Sequence, residues 1–195
     1  MIIDLIKYFA KFPAKEGVLD MFRNQASPMP EYAQLLTYIN ALPDTSVLPG
    51  LEKMVVATSL EAVKQFVSSF VGVDKFLMLD YGEITSTPSQ KDSLNDTMAF
   101  AITVAMHYSD NADIMEQAIA SAVTLDLANR LRAHMMADSE SKELGSFVDN
   151  IISGQHTLVP FEGKEIQSIG WTLAFRLNAT DLLDASGLKM QYLRD

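Results

Sequence analysis

The chain has 195 residues, of which 48% are hydrophobic and 21% are charged, as in a folded globular protein rather than a disordered one. Its net charge of −10 comes with no basic cluster, which argues against direct, sequence-independent binding to nucleic acid. The absence of cysteine excludes disulfides, thiolate metal sites and cysteine nucleophiles, and it favours a cytoplasmic protein.

The N-terminal stretch "MIIDLIKYFAKFPAKEG" is predicted to be an amphipathic helix rather than a signal peptide. Asp4, Lys7 and Lys11 interrupt its apolar run, and no basic segment precedes that run. The apolar residues recur at helical spacing: Ile2, Leu5, Ile6, Phe9 and Phe12. No segment of the sequence reaches the roughly 18–20 uninterrupted apolar residues that a membrane span needs.

Residues 1–72 are predicted to form a helical region that packs on an α+β domain of residues 73–195, the two making one compact unit. Pro30 is expected to begin a helix that Pro43 ends, with Leu35, Leu36, Ile39 and Leu42 as its buried stripe. Ser59 is expected to cap a later helix. Residues 54–58 fit either a short strand or a helical turn.

Period-two alternation predicts the strands of the second region. Residues 98–108 place bulky side chains on one face and small ones on the other, and residues 164–180 do the same. Residues 76–79 predict a preceding buried strand, and the polar residues 86–95 predict a mobile loop between it and the 98–108 strand. Gly163 is expected to supply the positive φ of a tight hairpin before residue 164.

Two helices are predicted between these strands. The first spans 111–137, with Asp110 as its N-cap and an apolar stripe that is rich in alanine in its first half. That stripe consists of Met115, Ala118, Ile119, Ala122, Val123, Leu127, Leu131 and Met135. The second helix covers about 141–152, and the tail beyond 180 is a short helix or an extended arm. The whole pattern predicts an α+β fold whose mostly antiparallel sheet of about four strands packs on helices.

No catalytic, cofactor-binding or metal-binding residues emerge from the motifs. The three histidines, His107, His134 and His156, lack the spacing of metal ligands, and no nucleophile-elbow or phosphate-loop motif is present. Asp80 and Glu83 lie at the end of a buried strand, where carboxylates can serve acid–base chemistry, although solvated turn residues are commoner there.

The faces of the two alternating strands that carry small side chains are expected to pack against another part of the protein or against another subunit. Ala99, Ala101, Ala105, Gly170 and Ala174 are unusual on a solvated sheet face. Either helices of the same chain cover them, with the start of the 111–137 helix as one partner, or neighbouring copies do. The sequence leaves both alternatives open.

From residue 73 onward the chain resembles the tail terminator (tail-completion) proteins and related neck proteins of tailed bacteriophages. The resemblance covers 73–180 and lies in the strands "KFLMLDYG", "DTMAFAITVAMHYS" and "WTLAFRLNATDLL" and in the helix "ADIMEQAIASAVTLDLANRLRAHM". It implies a non-enzymatic component of a phage or prophage particle that forms homo-oligomeric rings and contacts other virion proteins, in the virion or the cytoplasm of a bacterial host. It implies no catalytic residues, while the acidic charge and the lack of a long apolar run predict no direct nucleic-acid binding and no membrane contact.

The competing hypothesis is a small α+β enzyme or ligand-binding domain with an acidic cleft near Asp80 and Glu83. Convergent polar side chains around a cleft would distinguish this alternative from a structural protein.

Overall fold

The computed structural model describes residues 2–24, 27–57, 59–70, 74–88, 94–141 and 156–180. Its helices are α1 (Ile2–Phe9), α2 (Lys15–Leu19), α3 (Pro30–Ala41), α4 (Leu60–Val67) and α5 (Ile114–Ser141). Its strands are β1 (Lys53–Ala57), β2 (Lys75–Pro88), β3 (Leu94–His107), β4 (Thr157–Gly163) and β5 (Ser168–Thr180), and one turn of 3-10 helix (Lys164–Ile166) joins β4 to β5.

The described strands form one sheet in the order β1-β2-β3-β5-β4, which confirms the α+β class. The sheet differs in detail from the expected one because it has five strands and one parallel pair, β1 beside β2. The additional strand is the 54–58 segment whose conformation the sequence left open. The predicted boundary at residue 72 stays a prediction, but the first region is not purely helical, since it supplies β1.

The main core lies between the bulky face of the sheet and helices α1 and α5. Ile102 faces Leu173 across β3 and β5, and the rings of Phe100 and Phe175 stack with centroids 5.1 Å apart. The buried members of this cluster include Leu5, Phe9, Phe12, Leu79, Val104, Leu127 and Leu131. The predicted core of the two alternating strands is therefore confirmed, except that Trp171 is only partly buried.

Several predicted helix signals are confirmed. Helix α3 begins at Pro30, and the Ser59 hydroxyl accepts a hydrogen bond from the backbone N–H of Ala62 at 3.1 Å, as an N-cap does. The predicted stripe of α3 is confirmed in part: Ile39 is buried, and the half-buried Leu35 and Leu42 pack against the same core. Leu36 is also only half-buried.

Helix α5 differs from the prediction in its cap and in its buried face. Asp113, not Asp110, caps it: the Asp113 carboxylate accepts from the N–H groups of Met115 and Glu116, and Glu116 accepts in return from the N–H of Asp113. The residues that α5 buries are Ala120, Thr124, Leu127, Ala128, Leu131 and Met135. The first four members of the predicted stripe are exposed instead, namely Met115, Ala118, Ile119 and Ala122. Apolar residues occur on several sides of the helix, so periodicity alone did not identify the side that packs.

Two connections also differ. Strand β2 continues to Pro88 and β3 begins at Leu94, so both ends of the predicted loop 86–95 are paired strand, with Ser86 opposite Asp96. Residues 89–93 lie outside the described part. Gly163 has φ −102°, and the left-handed residue is Gln167 with φ 47°. The 3-10 turn moves the chain reversal four residues beyond the predicted position. The predicted helix 141–152 and the C-terminal tail fall outside the described residues, apart from Ser141, which ends α5.

Candidate functional site

The small-residue face of the sheet is the floor of the candidate site. Strand register places Met78, Thr103, Thr172 and Val159 side by side across four strands. Toward the N-terminal end of β3, the next row on the same face consists of Asp80, Ala101, Ala174 and Thr157. The central strands β3 and β5 therefore carry small side chains, and larger ones stand on the flanking strands β2 and β4.

Helix α4 covers one end of this face from within the chain. Ala105 is fully buried there in a cluster with Val55, Val63, Phe66, Val67, Phe76 and Ile166. Beside it, the hydroxyls of Thr103 and Thr172 are hydrogen-bonded at 2.8 Å. The expectation that the start of α5 covers this face is wrong, because α5 packs on the bulky face, where the Trp171 indole N–H donates to the Ser121 carbonyl at 3.0 Å.

The other end of the face is open. Ala99 and Ala174 are exposed, Ala101 is half-buried, and Val159 on the edge strand β4 is 41% exposed. We call these four residues the open strand face. Of the two alternatives left by the sequence, cover within the chain therefore accounts for the Ala105 end only.

A groove of about 530 Å³ runs along the border between the covered and open parts. Its walls come from β1, the start of α4, β2 and the β4–β5 connection. The lining residues are Ala57, Ser59, Val63, Met78, Asp80, Tyr81, Phe161, Glu162, Gly163, Lys164, Glu165 and Ile166. Sequence reasoning identified Asp80 but missed the other two carboxylates, Glu162 and Glu165, because the β4–β5 connection reaches the site only through tertiary folding.

Ion pairs occupy part of the rim. Lys64 of α4 forms a salt bridge with Glu165, and the hydrogen bond that its ammonium group donates to this carboxylate raises the pKa of Lys64. Lys164 Nζ lies 3.6 Å from Glu162 Oε1. Both lysines thereby offset acidic groups at the connection, while Asp80 stands exposed on the opposite wall.

Asp80 and Glu83 do not form a demonstrated pair. Glu83 belongs to the irregular stretch of β2 between Tyr81 and Ile84, where β2 has one residue more than its partner strand, and its side chain lies outside the description. The described part of the site therefore contains a single exposed carboxylate from β2, facing carboxylates that lysines engage.

The three histidines lie apart and have structural contacts. His107 Nδ1 lies 3.1 Å from the Ile166 carbonyl and so holds the 3-10 turn, and His156 Nε2 accepts from Arg132 at 2.6 Å. The ring centroids of His134 and Phe12 are 6.2 Å apart. Across the described ranges, no three His, Asp or Glu side chains are arranged to hold a metal ion. No described helix has both the length and the apolar character to cross a membrane.

Comparison with known proteins adds no relative: no protein-family model matches the chain, and no curated protein matches it.

Proposed function

We propose that the protein is a non-enzymatic structural or assembly protein that acts by self-association, as a tail-terminator-like or neck-like component of a phage or prophage particle. The observation that carries the self-association is the open strand face. This sheet surface of three alanines and Val159 of edge strand β4, with Asp80 and Thr157 beside them in the Ala101 row, is uncovered within the described residues. Such surfaces are typical of contacts between subunits.

The particle assignment rests on the resemblance of residues 73–180 to the tail terminator and neck families. The net charge of −10 supports it, because an acidic subunit stays soluble before assembly and would line a channel that passes DNA without gripping it. The partners proposed on this basis are further copies of the chain and other virion proteins, in the virion or in the cytoplasm of a bacterial host.

Sedimentation velocity over a concentration series tests the self-association. We expect the wild-type protein to form species larger than the monomer. Ala101→Arg places a long charged side chain in the open strand face and should reduce the association. Ala33→Arg on α3 is the control for the same change in charge and size, because Ala33 is exposed and lies on a helix away from this face. A wild-type protein that stays monomeric at high concentration contradicts the proposal.

The groove favours a second candidate function, ligand binding. Its volume falls within the range of small-molecule sites, and its lining combines apolar side chains with Asp80 and the rim lysines. A screen of small cationic and polar fragments by ligand-observed NMR tests it. Specific hits that Asp80→Asn abolishes, in a protein that does not associate, would favour this function over assembly.

A further inference from the structure

Helix α5 exposes a run of large apolar side chains that the sheet does not use. Ile114 is 80% exposed, Met115 63%, Ile119 58% and Met136 39%. The helix is held to the sheet by its opposite side, where Leu127, Leu131 and other side chains are buried. Exposed helix faces in globular proteins normally carry charged and polar residues, so this face has the composition of a covered surface.

Helical periodicity joins Met115, Ile119 and Met136 into one surface, the outer α5 face, whereas Ile114 points to its side. It consists of Met115, Ala118, Ile119, Ala122, Asp126, Asn129, Arg130, Ala133, Met136 and Ala137, and all of them are exposed. Apolar residues occupy both ends and the polar residues are confined to the middle. A single charge of each sign, Asp126 and Arg130, lies on one flank.

We infer that the outer α5 face is an interface with a second copy of the chain, in which the two α5 helices pack antiparallel. This inference deepens, and rests on, the proposed self-association. The two-fold axis crosses the outer α5 face at the height of residues 127 and 128 along the helix. Ile119 then faces Ala137 of the second copy, Ala118 faces Met136, and Ala122 faces Ala133. In these three pairs an apolar residue meets an apolar residue, and alanine allows the helix axes to approach closely.

The charges select the antiparallel direction. In this register Asp126 of each copy faces Arg130 of the other, so that two reciprocal ion pairs form about the axis. A parallel arrangement would place each of these residues beside its own counterpart, with like charges together. Within one chain the two groups lie four residues apart and their charged atoms are 4.0 Å apart, at the limit of an ion pair.

The geometry also fits a larger assembly. A symmetric contact through α5 uses the same surface on both copies and therefore closes at a dimer. Growth into a ring or stack needs a second contact, and the open strand face lies on the opposite side of the sheet from α5. The two surfaces can therefore act together without overlapping.

Charge exchange on α5 tests the inference in the full-length protein by sedimentation equilibrium. Asp126→Arg or Arg130→Asp alone should raise the dimer dissociation constant at least about tenfold, because each single change brings like charges together. The double exchange, Asp126→Arg with Arg130→Asp, should return the dimer dissociation constant to within about threefold of the wild-type value. Ala122→Glu should also weaken the dimer, whereas Ala33→Glu, the same change on an exposed helical alanine outside the face, should not. Circular dichroism verifies that every variant is folded.

Cysteine crosslinking tests the direction of packing, since the natural chain has no cysteine. When Ala122→Cys and Ala133→Cys proteins are mixed and oxidised, the mixed disulfide should exceed either homodisulfide severalfold. Predominant homodisulfides would overturn the antiparallel register. If the wild type associates and none of the α5 changes alters the dissociation constant, the interface is elsewhere and the proposed self-association still stands. A monomeric wild type overturns both.

Discussion

The indole N–H of Trp171 donates a hydrogen bond to the backbone carbonyl of Ser121 at 3.0 Å, and this contact joins β5 to α5. It connects the one tryptophan of the chain to the first third of the longest described helix. The contact is consistent with the rotation of α5 about its axis, which directs Thr124 and Leu127 to the sheet and Ala122 outward. The same relationship therefore determines which surface of α5 remains available to a partner.

Trp171→Phe should lower the free energy of unfolding by about 1–2 kcal/mol, because the hydrogen bond from the indole to the Ser121 carbonyl is lost and the smaller ring packs less surface. The Ser121 carbonyl keeps the hydrogen bond that it accepts from the Thr124 hydroxyl. Urea denaturation followed by circular dichroism measures the change. Trp171 is the one tryptophan among six tyrosines, so with selective excitation of tryptophan the emission reports this residue alone and should shift to longer wavelength on unfolding. Wild-type emission already at the fully exposed position in the native protein would contradict the observed packing.

Leu173→Ala should cost about 2–5 kcal/mol of stability, since Leu173 is buried between its cross-strand neighbours Ile102 and Leu158. Val159→Ala is the control on the neighbouring strand, because Val159 is exposed and its truncation should cost under about 1 kcal/mol. Equal losses for the two variants in urea denaturation would show that the sheet does not bury the face described.

Gly170→Ala should destabilise the protein by about 3 kcal/mol or prevent folding. A Cβ atom at this position would lie 2.1 Å from the Val104 carbonyl oxygen, which is backbone and cannot move away without distorting the sheet. Gly82→Ala is the matched control, because the nearest atom to its Cβ is the Ala99 carbonyl oxygen at 3.4 Å. Thermal unfolding of both variants should show a large decrease for the first and a small one for the second.

Tyr8 should make the protein sensitive to alkaline pH. Burial raises the pKa of its phenol, and the Asp138 carboxylate, which accepts the Tyr8 hydroxyl at 2.8 Å and is paired with Lys11, raises it further. Above about pH 10 the unfolded chain loses this proton while the folded chain keeps it, so the stability falls by up to about 1.4 kcal/mol per pH unit from this group.

Tyr8→Phe removes that dependence along with the hydrogen bond. Below pH 9 the variant should be less stable than the wild type by about 1 kcal/mol, and the difference should shrink between pH 10 and 11. Chemical denaturation at a series of pH values measures both curves. Parallel curves over the whole range would show that Tyr8 ionises as readily in the folded protein as in the unfolded one.

Some local structure could be predicted from the sequence, at Pro30 and Ser59 although not at Asp110 or Gly163, because a short stretch can determine its own conformation. Pro30 begins a helix because its ring presets φ and needs no donor, and Ser59 caps one because its hydroxyl lies next to free N–H groups. The alternation of β3 and β5 identified the core strands, because side chains of a strand point to opposite faces whatever the strand packs on. The α+β class followed from the order of these elements.

Tertiary structure alone decided what each surface packs against. The stripe predicted for α5 was rotated from the real one because the helix carries apolar residues on several sides, and only docking onto Leu173 and its neighbours selects among them. Tertiary structure also formed the groove, which Asp80 lines together with Glu162 and Glu165, although these lie about 80 residues further along the chain. Periodicity in the sequence shows which residues share a face of one helix or strand. It does not show which other helix or strand packs on that face, because that packing is between distant parts of the chain.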